Sequence, residues 1–337
     1  MQYDVLKRAL LSRTGGWPRH NRPCRDHPGF LPPEGEFCVI RRLVPLTLSF
    51  LCFCFWMPSA VAQQDDDLNV YMMESTVKLQ GRDSLGTGFM LVRPLGVQKG
   101  PPGSISGKVV LVTAAHVFEG FPEDQITVVM HSPGSTGLWS RHESKLPIRV
   151  NGRPLWTRNP EADVAVMYVL PDVSPFQKAP TVDLLATDEL LKKYDMAPGV
   201  DLECLGFPLG RESSSAGFPI LRVGAIASYP LLPTAVTKTF LMDFRVFKGN
   251  SGGPVYFSQP EFRGSGTIEG RAQFIMGLVS QEALFPVQSA DPYGASVREL
   301  QLMLGVVVHA SIIRQTIEML PAPDSPQSVS VRMLSPQ

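Results

Sequence analysis

The sequence predicts an all-β protein, and two features of the chain support this fold class. The 29 glycines and 31 prolines among its 337 residues are spread along the chain without a period, which indicates frequent turns and excludes collagen-like and low-complexity classes. Between these turn residues, short runs rich in valine, isoleucine, leucine and phenylalanine recur, as in a barrel or sandwich of short strands. The main runs are residues 75–80, 88–92, 109–113, 126–130, 164–170, 200–205, 220–227, 239–244, 254–257, 274–280 and 305–309.

The first 62 residues are predicted to lie outside the fold. Two arginines at 41–42 precede an apolar stretch at 43–57, and a small-x-small ending follows at 60–62. This is the pattern of a secretory signal peptide, with cleavage expected after Ala62. An uncleaved anchor is the alternative, but the apolar stretch is too short to span a bilayer. We therefore expect an exported protein, periplasmic or secreted, with no stable membrane insertion after cleavage.

Charge and cysteine content exclude several classes of function. The 31 basic and 31 acidic residues balance, so nothing in the net charge favours nucleic-acid binding. Four of the five cysteines precede residue 62, so the exported chain keeps only Cys204 and is expected to form no internal disulfide. No cysteine and histidine residues have metal-ligand spacing, so no metal site is predicted.

Residues 63–320 make up the predicted folded domain. Two strand-rich blocks, at about 70–171 and 198–310, flank a proline-containing linker at 172–197 in which residues 188–193 are expected to form a helical turn. Apolar residues at helical spacing predict a helix over 311–320, and the Pro/Ser-rich segment 321–337 is expected to be a disordered tail. Long surface loops are expected at 94–108, 131–147, 259–271 and 282–299.

The strongest chemical motif is Gly-Asn-Ser-Gly-Gly-Pro at 249–254, which follows an apolar segment. Glycines on both sides of Ser251 permit a tight turn that leaves its hydroxyl exposed. The same turn can direct the backbone N–H groups of Gly249 and Ser251 at one point, the geometry of an oxyanion hole. The alternative is an ordinary glycine-rich hairpin turn, although this six-residue combination is much rarer by chance than a bare Gly-x-Ser-x-Gly.

Two further motifs supply a histidine and a carboxylate. His116 follows an apolar strand that ends in the small residues Thr-Ala-Ala, which leave room around its imidazole ring. Asp163 opens the apolar run Val-Ala-Val, where a partly buried carboxylate needs a hydrogen-bond donor such as a histidine N–H. Taken singly, these residues could be a structural histidine and a turn aspartate.

Together the three motifs resemble those of the chymotrypsin-like (trypsin-fold) serine peptidases, in the order His116, Asp163, Ser251. The similarity extends over residues 74–318 and is greatest to the HtrA/Deg-like bacterial branch. Supporting segments are Gly-Thr-Gly-Phe at 86–89, Leu-Gly-Phe-Pro-Leu-Gly at 205–210 and Gly-Ala-Ile-Ala-Ser at 224–228, together with Asn250.

The resemblance implies two antiparallel β-barrels and a short C-terminal helix, with the site in the cleft between the barrels. The first barrel would supply His116 as general base and Asp163 as its partner, and the second would supply Ser251 as nucleophile. Gly249 and Ser251 N–H groups would form the oxyanion hole. The substrate would be a polypeptide, and no cofactor would be needed.

Departures from the family pattern refine this expectation. Digestive members carry an aspartate before the nucleophile that pairs with a newly cut N-terminus, whereas this chain has the neutral Asn250. We therefore expect no trypsin-type zymogen activation. Too few residues follow the predicted C-terminal helix for the PDZ module of HtrA proteins.

The sequence says little about substrate preference. By analogy Arg245, six positions before Ser251, could face the specificity pocket and favour acidic side chains, with Ser280 and Glu282 on the opposite wall. The preferred alternative is that Arg245 points to solvent or pairs with a neighbouring aspartate. The functional prediction is an active serine endopeptidase; the alternatives are a catalytically idle binding or assembly protein, or a peptidase active only on one partner.

Overall fold

The computed structural model describes residues 67–95, 104–134, 137–169, 180–264, 267–291, 294–321 and 329–332. The predicted signal peptide and its cleavage site after Ala62 lie outside these residues, as does most of the first half of the predicted linker. Within the part of the chain that is described, no helix is both long and apolar enough to cross a bilayer.

The first half of the fold is an eight-stranded antiparallel sheet. Its main path runs in the order β5-β4-β1-β2-β3-β9-β8, and β16 pairs with β3 on the side. The strands are β1 (Thr76–Gln80), β2 (Leu85–Pro94), β3 (Ser104–Thr113), β4 (Gln125–Pro133), β5 (Trp139–Pro147), β8 (Thr157–Arg158), β9 (Ala165–Val169) and β16 (Val329–Arg332), with a separate hairpin of β6 (Arg149–Val150) and β7 (Arg153–Pro154).

The second half is a closed six-stranded antiparallel barrel in the order β10-β11-β12-β15-β14-β13. Its strands are β10 (Asp201–Gly206), β11 (Ile220–Ile226), β12 (Thr239–Asp243), β13 (Pro254–Gly264), β14 (Thr267–Asp291) and β15 (Gly294–His309). The predicted all-β class with a short C-terminal helix is therefore confirmed.

Four short helices connect or cap the sheets. They are α1 (Leu68–Ser75), α2 (Ala115–Glu119), α3 (Asp188–Lys193) and α4 (Ala310–Glu318). The sequence predicted α3 and α4, the second from its apolar residues at helical spacing. In α3 the Thr187 side chain caps the first turn, and the acidic and basic residues at its two ends match the helix dipole. The sequence did not predict α1 or α2.

A continuous core of buried apolar side chains extends through both halves. Phe89 and Val112 of the first sheet belong to the same buried cluster as Val255 and Phe274 of the barrel. Cys204 lies in this core, where burial raises the pKa of its thiol to about 12. It is therefore an inert packing residue.

Several segments expected to be loops are strands. β5 occupies much of 131–147, and the β13–β14 and β14–β15 hairpins occupy 259–271 and 282–299. β5 was missed because exposed and half-buried residues alternate along it, so it shows no apolar run. In the tail expected to be disordered, Val329–Arg332 pair with Ser104–Gly107 as β16, so that expectation is wrong for these four residues. Backbone pairing at a sheet edge needs no apolar side chains, which is why the composition gave no sign of it.

Candidate active site

His116 is positioned by the junction of β3 and α2. β3 ends at Thr113, and the fully buried Ala114 and Ala115 lead into the first turn of the helix. Because these two side chains are small, the backbone can pass through the core and bring the imidazole to the surface. The His116 side chain keeps 46% of its surface exposed.

Asp163 holds the imidazole and the backbone of His116 at the same time. Its Oδ2 lies 2.7 Å from His116 Nδ1, and its Oδ1 accepts the His116 backbone N–H at 3.0 Å. An ionised carboxylate can only accept hydrogen bonds, so the proton of the neutral ring is assigned to Nδ1. This tautomer leaves Nε2 free to accept a proton, as a general base requires.

Ser280, on β14, donates its hydroxyl to Asp163 Oδ2 at 2.5 Å. Burial alone would raise the pKa of Asp163, but the hydrogen bonds from His116 and Ser280 outweigh it and lower that pKa to about 2. The carboxylate is therefore ionised at neutral pH. The sequence assigned Ser280 to a possible specificity pocket, whereas its hydroxyl supports the His–Asp pair.

Ser251 lies in a turn in which two glycines occupy positions that larger residues fit poorly. Gly249 and Gly252 have φ of 99° and 84°, which favour glycine. A Cβ on Gly249 would lie 2.3 Å from the Phe207 carbonyl oxygen, and one on Gly252 would lie 2.1 Å from that of Thr87. The sequence predicted a tight turn here, and the close approach of Thr87 and Phe207 gives its physical reason.

The carbonyl groups of this turn each accept a separate hydrogen bond. The Lys248 carbonyl accepts Leu209 N–H at 2.7 Å, and the Asn250 carbonyl accepts Gly253 N–H at 2.9 Å. In a trans peptide the C=O and the following N–H point in opposite directions. The N–H groups of Gly249 and Ser251 are thereby turned away from these anchors.

Neither of these two N–H groups has a hydrogen-bond acceptor in the described part of the chain. Two unpaired backbone donors next to a serine hydroxyl are what an oxyanion hole requires. Asn250 itself is 1% exposed, and its Oδ1 has no partner among the described residues.

The serine turn packs directly against the strand that leads to His116. A Cβ on Gly252 would lie 2.2 Å from Thr113 Oγ1 and 3.0 Å from Ala114 N. Among the described residues, however, no hydrogen bond joins Ser251 Oγ to His116 Nε2. The two side chains therefore come from adjacent elements, but they do not form the serine–histidine hydrogen bond. Long or missing hydrogen bonds of this kind are common in active sites without substrate.

The candidate pocket residues are less clearly organised. Arg245 is exposed, and its guanidinium lies 4.9 Å from the centre of the Phe247 ring. Arg222 donates to the Arg245 carbonyl and lies over the same ring. Glu282 is half-buried, and its Oε1 has no partner within the described residues. The contacts of Arg245 agree with the preferred alternative of an exposed side chain, and its role in specificity stays a prediction.

Sequence reasoning missed some residues that organise the site. Thr87 contacts the serine turn through several hydrogen bonds, and Leu209 anchors the Lys248 carbonyl. The Gly-Thr-Gly-Phe segment was noticed only as part of a resemblance. Nothing in its composition indicated a role for the threonine. In the described part of the chain, no cluster of three or more His, Cys, Asp or Glu residues could hold a metal ion.

Solved structures were found that are similar to this chain. Two crystal structures of Rv3671c are similar to it. The first, from M. tuberculosis H37Rv, is a Ser343Ala mutant in an inactive form and has 18% identity and a TM-score of 0.39, covering 80% of this chain and 96% of its own. The second, an inactive form of the Rv3671c protease, has 16% identity and a TM-score of 0.36, covering 75% and 92%.

A comparison with curated proteins finds no match. The sequence model of the trypsin family, however, matches residues 96–283, more than half of the chain, and this span includes His116, Asp163 and Ser251. The chain belongs to the trypsin family of chymotrypsin-like serine proteases.

Proposed function

We propose that this chain is an exported serine endopeptidase that hydrolyses peptide bonds through His116, Asp163 and Ser251. The observation that carries the proposal is the bidentate contact of Asp163 with His116, beside a serine turn that has two unpaired N–H donors. A binding protein has no need of this combination. The arrangement leaves Nε2 basic and supplies donors for a developing negative charge.

In the first step, His116 Nε2 takes the Ser251 hydroxyl proton while Oγ attacks the substrate carbonyl carbon. The carbonyl π electrons move to its oxygen, and the N–H groups of Gly249 and Ser251 stabilise that oxyanion. Asp163 stabilises the imidazolium. When the intermediate collapses, the C–N bond breaks, and His116 donates its proton to the leaving amine.

The second step regenerates the enzyme. His116 Nε2 removes a proton from a water molecule, whose oxygen attacks the Ser251 ester carbon. The C–Oγ bond then breaks, Oγ recovers the proton from His116, and the carboxylic acid product leaves. No redox partner is needed, because every electron pair and proton is accounted for by these groups and water.

Export and activation belong to the same proposal. The signal-like segment 43–57 supports export with Gln63 as the new N-terminus, and the neutral, buried Asn250 supports activity without a second cleavage. The substrate is a polypeptide, and the exposed Arg245, which lies beside the Phe247 ring, gives no argument for an acidic preference. An unbiased peptide-library cleavage profile would define the preferred side chains.

Labelling with a fluorophosphonate tests the proposal. The full chain is expressed with its leader, and the exported protein is isolated and its N-terminus sequenced. We expect a chain that begins at Gln63 and is labelled without further processing, and no label on Ser251→Ala. His116→Ala is expected to reduce the labelling rate at least 100-fold, because the serine loses its base.

An idle binding protein would remain unlabelled although its circular dichroism spectrum and unfolding transition match those of Ser251→Ala. Labelling that begins only after a protein partner is added would instead indicate that the link between Ser251 and His116 closes on binding. A labelled chain found only in the cytoplasm would refute export and leave the enzyme assignment standing.

A further inference from the structure

One threonine on the first sheet makes four hydrogen bonds around the serine turn. Thr87 is fully buried on β2. Its backbone N–H donates to the Ser251 carbonyl at 2.9 Å, and its hydroxyl donates to the Gly249 carbonyl at 2.5 Å. The hydroxyl also accepts Phe207 N–H at 3.2 Å. The hydrogen bonds between strands of a sheet use only backbone groups, so the two bonds of the hydroxyl depend on the threonine side chain.

The Gly249 carbonyl that the hydroxyl holds lies between the two oxyanion donors. It belongs to the peptide that joins Gly249 to Asn250, while the donors are the N–H groups of the preceding and following peptides. A peptide plane can turn about the axis between its two Cα atoms without moving its neighbours, so each of the three successive peptides needs its own hydrogen bond. The outer two, which carry the oxyanion donors, are held at the Lys248 and Asn250 carbonyls, and the Thr87 hydroxyl holds the middle one. With the middle peptide fixed, φ and ψ of the residues that separate the two donors have no remaining freedom to change.

Thr87 also contacts the histidine side of the site. Its carbonyl oxygen accepts the Thr113 hydroxyl at 2.7 Å, and Thr113 precedes His116 by three residues at the end of β3. Thr113 is fully buried, so this bond is shielded from water. One residue is thus bonded both to the turn that carries the nucleophile and to the strand that carries the base.

We propose that Thr87 is a positioning residue that orients the oxyanion donors through its hydroxyl and keeps the serine turn in register with the histidine strand. The proposal rests on the proposed peptidase function and deepens it. Its chemical content is specific: the hydroxyl must donate to Gly249 and accept from Phe207 at once. A side chain of the same shape without the hydroxyl would leave a buried acceptor and a buried donor unpaired.

Three variants of the exported chain test this role. Thr87→Val keeps the shape and the backbone bonds but removes the hydroxyl, whereas Thr87→Ser keeps the hydroxyl and removes a methyl group. Thr76→Val is the matched control, because Thr76 is also fully buried in the first sheet but donates its hydroxyl to the Met72 carbonyl, at 2.7 Å. Each protein is compared in its thermal unfolding midpoint, so that a folding defect is recognised.

The kinetic readout separates positioning from general stability. For Thr87→Val we expect kcat to fall about 10- to 100-fold with KM changed less than about threefold, since the oxyanion donors act on the transition state. Affinity for a peptide boronic acid, whose tetrahedral adduct resembles that state, is expected to fall in parallel. Thr87→Ser is expected to restore most of both, and Thr76→Val to leave both near the wild-type values.

A second readout does not depend on catalysis. Amide hydrogen exchange of a peptide covering 247–255 is expected to be about five- to tenfold faster in Thr87→Val than in Thr76→Val, because one buried hydrogen bond holding the turn is lost. Equal exchange and equal kcat in these two variants would overturn the positioning role, as would an equal loss of kcat in Thr87→Val and Thr87→Ser. If the wild-type chain is never labelled by fluorophosphonate, the peptidase function fails, while exchange still decides whether the hydroxyl holds the turn.

Discussion

Gly252 shows at the scale of one residue why the serine turn has its composition. Its φ of 84° favours glycine, and its Cα packs against the Thr87 carbonyl and the Thr113 hydroxyl. Gly199 has a similar φ of 93°, but the space around it is open. Substitutions at these two positions therefore distinguish the cost of an unfavourable backbone conformation, which both share, from the cost of a steric clash, which only Gly252 has.

Gly252→Ala is expected to lower the free energy of unfolding by about 3 kcal/mol or more and to abolish fluorophosphonate labelling, because the new Cβ must displace two buried groups. Gly199→Ala should lower it by only about 1–2 kcal/mol and leave labelling intact, since only the backbone conformation is unfavourable. Urea unfolding of both variants measures the difference. Similar losses of stability would show that the serine turn relaxes around the extra carbon.

Single residues of the site could be predicted where the motif itself encodes the constraint. Ser251 was predicted because the glycines around it indicate a turn that larger residues cannot form. Asp163 was predicted because a carboxylate at the start of an apolar run needs a hydrogen-bond donor. The roles of Ser280 and Thr87 could not be predicted in this way. Their hydroxyls act through hydrogen bonds to residues 117 and 162 positions away, and a lone serine or threonine in a strand is otherwise unremarkable.

At the scale of elements, the segment after β10 connects the first sheet to the serine turn. It contains a short 3-10 turn, Pro208–Gly210, in which Leu209 N–H holds the Lys248 carbonyl. Two residues later, Glu212 forms ion pairs with Lys78 of β1 and Arg141 of β5. Burial alone would raise the pKa of Glu212, but the hydrogen bonds from Lys78 and Arg141 hold that pKa below its ordinary value. The ionised carboxylate is therefore stabilised in place.

Glu212→Gln is expected to lower the free energy of unfolding by about 2–4 kcal/mol, because it leaves the ammonium of Lys78, with 8% of its side chain exposed, without a charged partner. Glu143→Gln is the matched control, since Glu143 pairs with the same Arg141 but keeps 53% of its side chain exposed. Glu143→Gln should lower the free energy of unfolding by less than about 1 kcal/mol. Urea unfolding at pH 7 measures both, and equal values would show that the buried pair contributes no more than a surface pair.

Helices and strands could be predicted from the sequence where their buried positions give a recognisable pattern of apolar residues. β2, β3 and β9 are apolar and were expected, as were α3 with its cap and α4 with its apolar face. α2 has only five residues, too few for a helical period to show, so the helix that carries His116 could not be inferred. β5 is exposed on much of its length, and its pairing with β4 comes from backbone bonds that leave no mark in the residue types.

At the scale of the whole molecule, each half buries a histidine that must stay neutral. His131 of β4 is stacked on Phe218 with ring centres 3.9 Å apart, and His309 ends β15 with its ring 4.8 Å from Phe240. Burial lowers the pKa of each to about 4. The Nε2 atom of His309 has no hydrogen-bond partner among the described residues. In the second half, burial acts oppositely on a carboxyl and raises the pKa of Glu203 to about 7.

These groups give the stability of the molecule two opposing dependences on pH. As pH falls from about 6.5 to 4, the unfolded chain binds protons at both histidines while the native chain does not, so the free energy of unfolding falls. Glu203 works the other way. Its native pKa is raised above 4.5, so the native chain binds the extra proton between about pH 7 and 4.5, and acid there is stabilising. Asp163, with a lowered pKa of about 2, acts only below pH 4.

Replacing His309 and replacing Glu203 should therefore change the pH dependence of the free energy of unfolding in opposite directions. We expect His309→Phe to lose about 2 kcal/mol less stability than the wild type between pH 7 and pH 5. The reason is that the phenylalanine ring can pack against Phe240 and does not bind a proton in the unfolded chain. Glu203→Gln should lose about 1 kcal/mol more than the wild type over the same interval, since the stabilising protonation is gone and the partial exposure of Glu203 weakens its effect. Urea unfolding at the two pH values measures each slope against the wild type. If both variants followed the wild-type slope, burial of these side chains would not control their protonation, and the acid response of the molecule would have to arise from its surface charges.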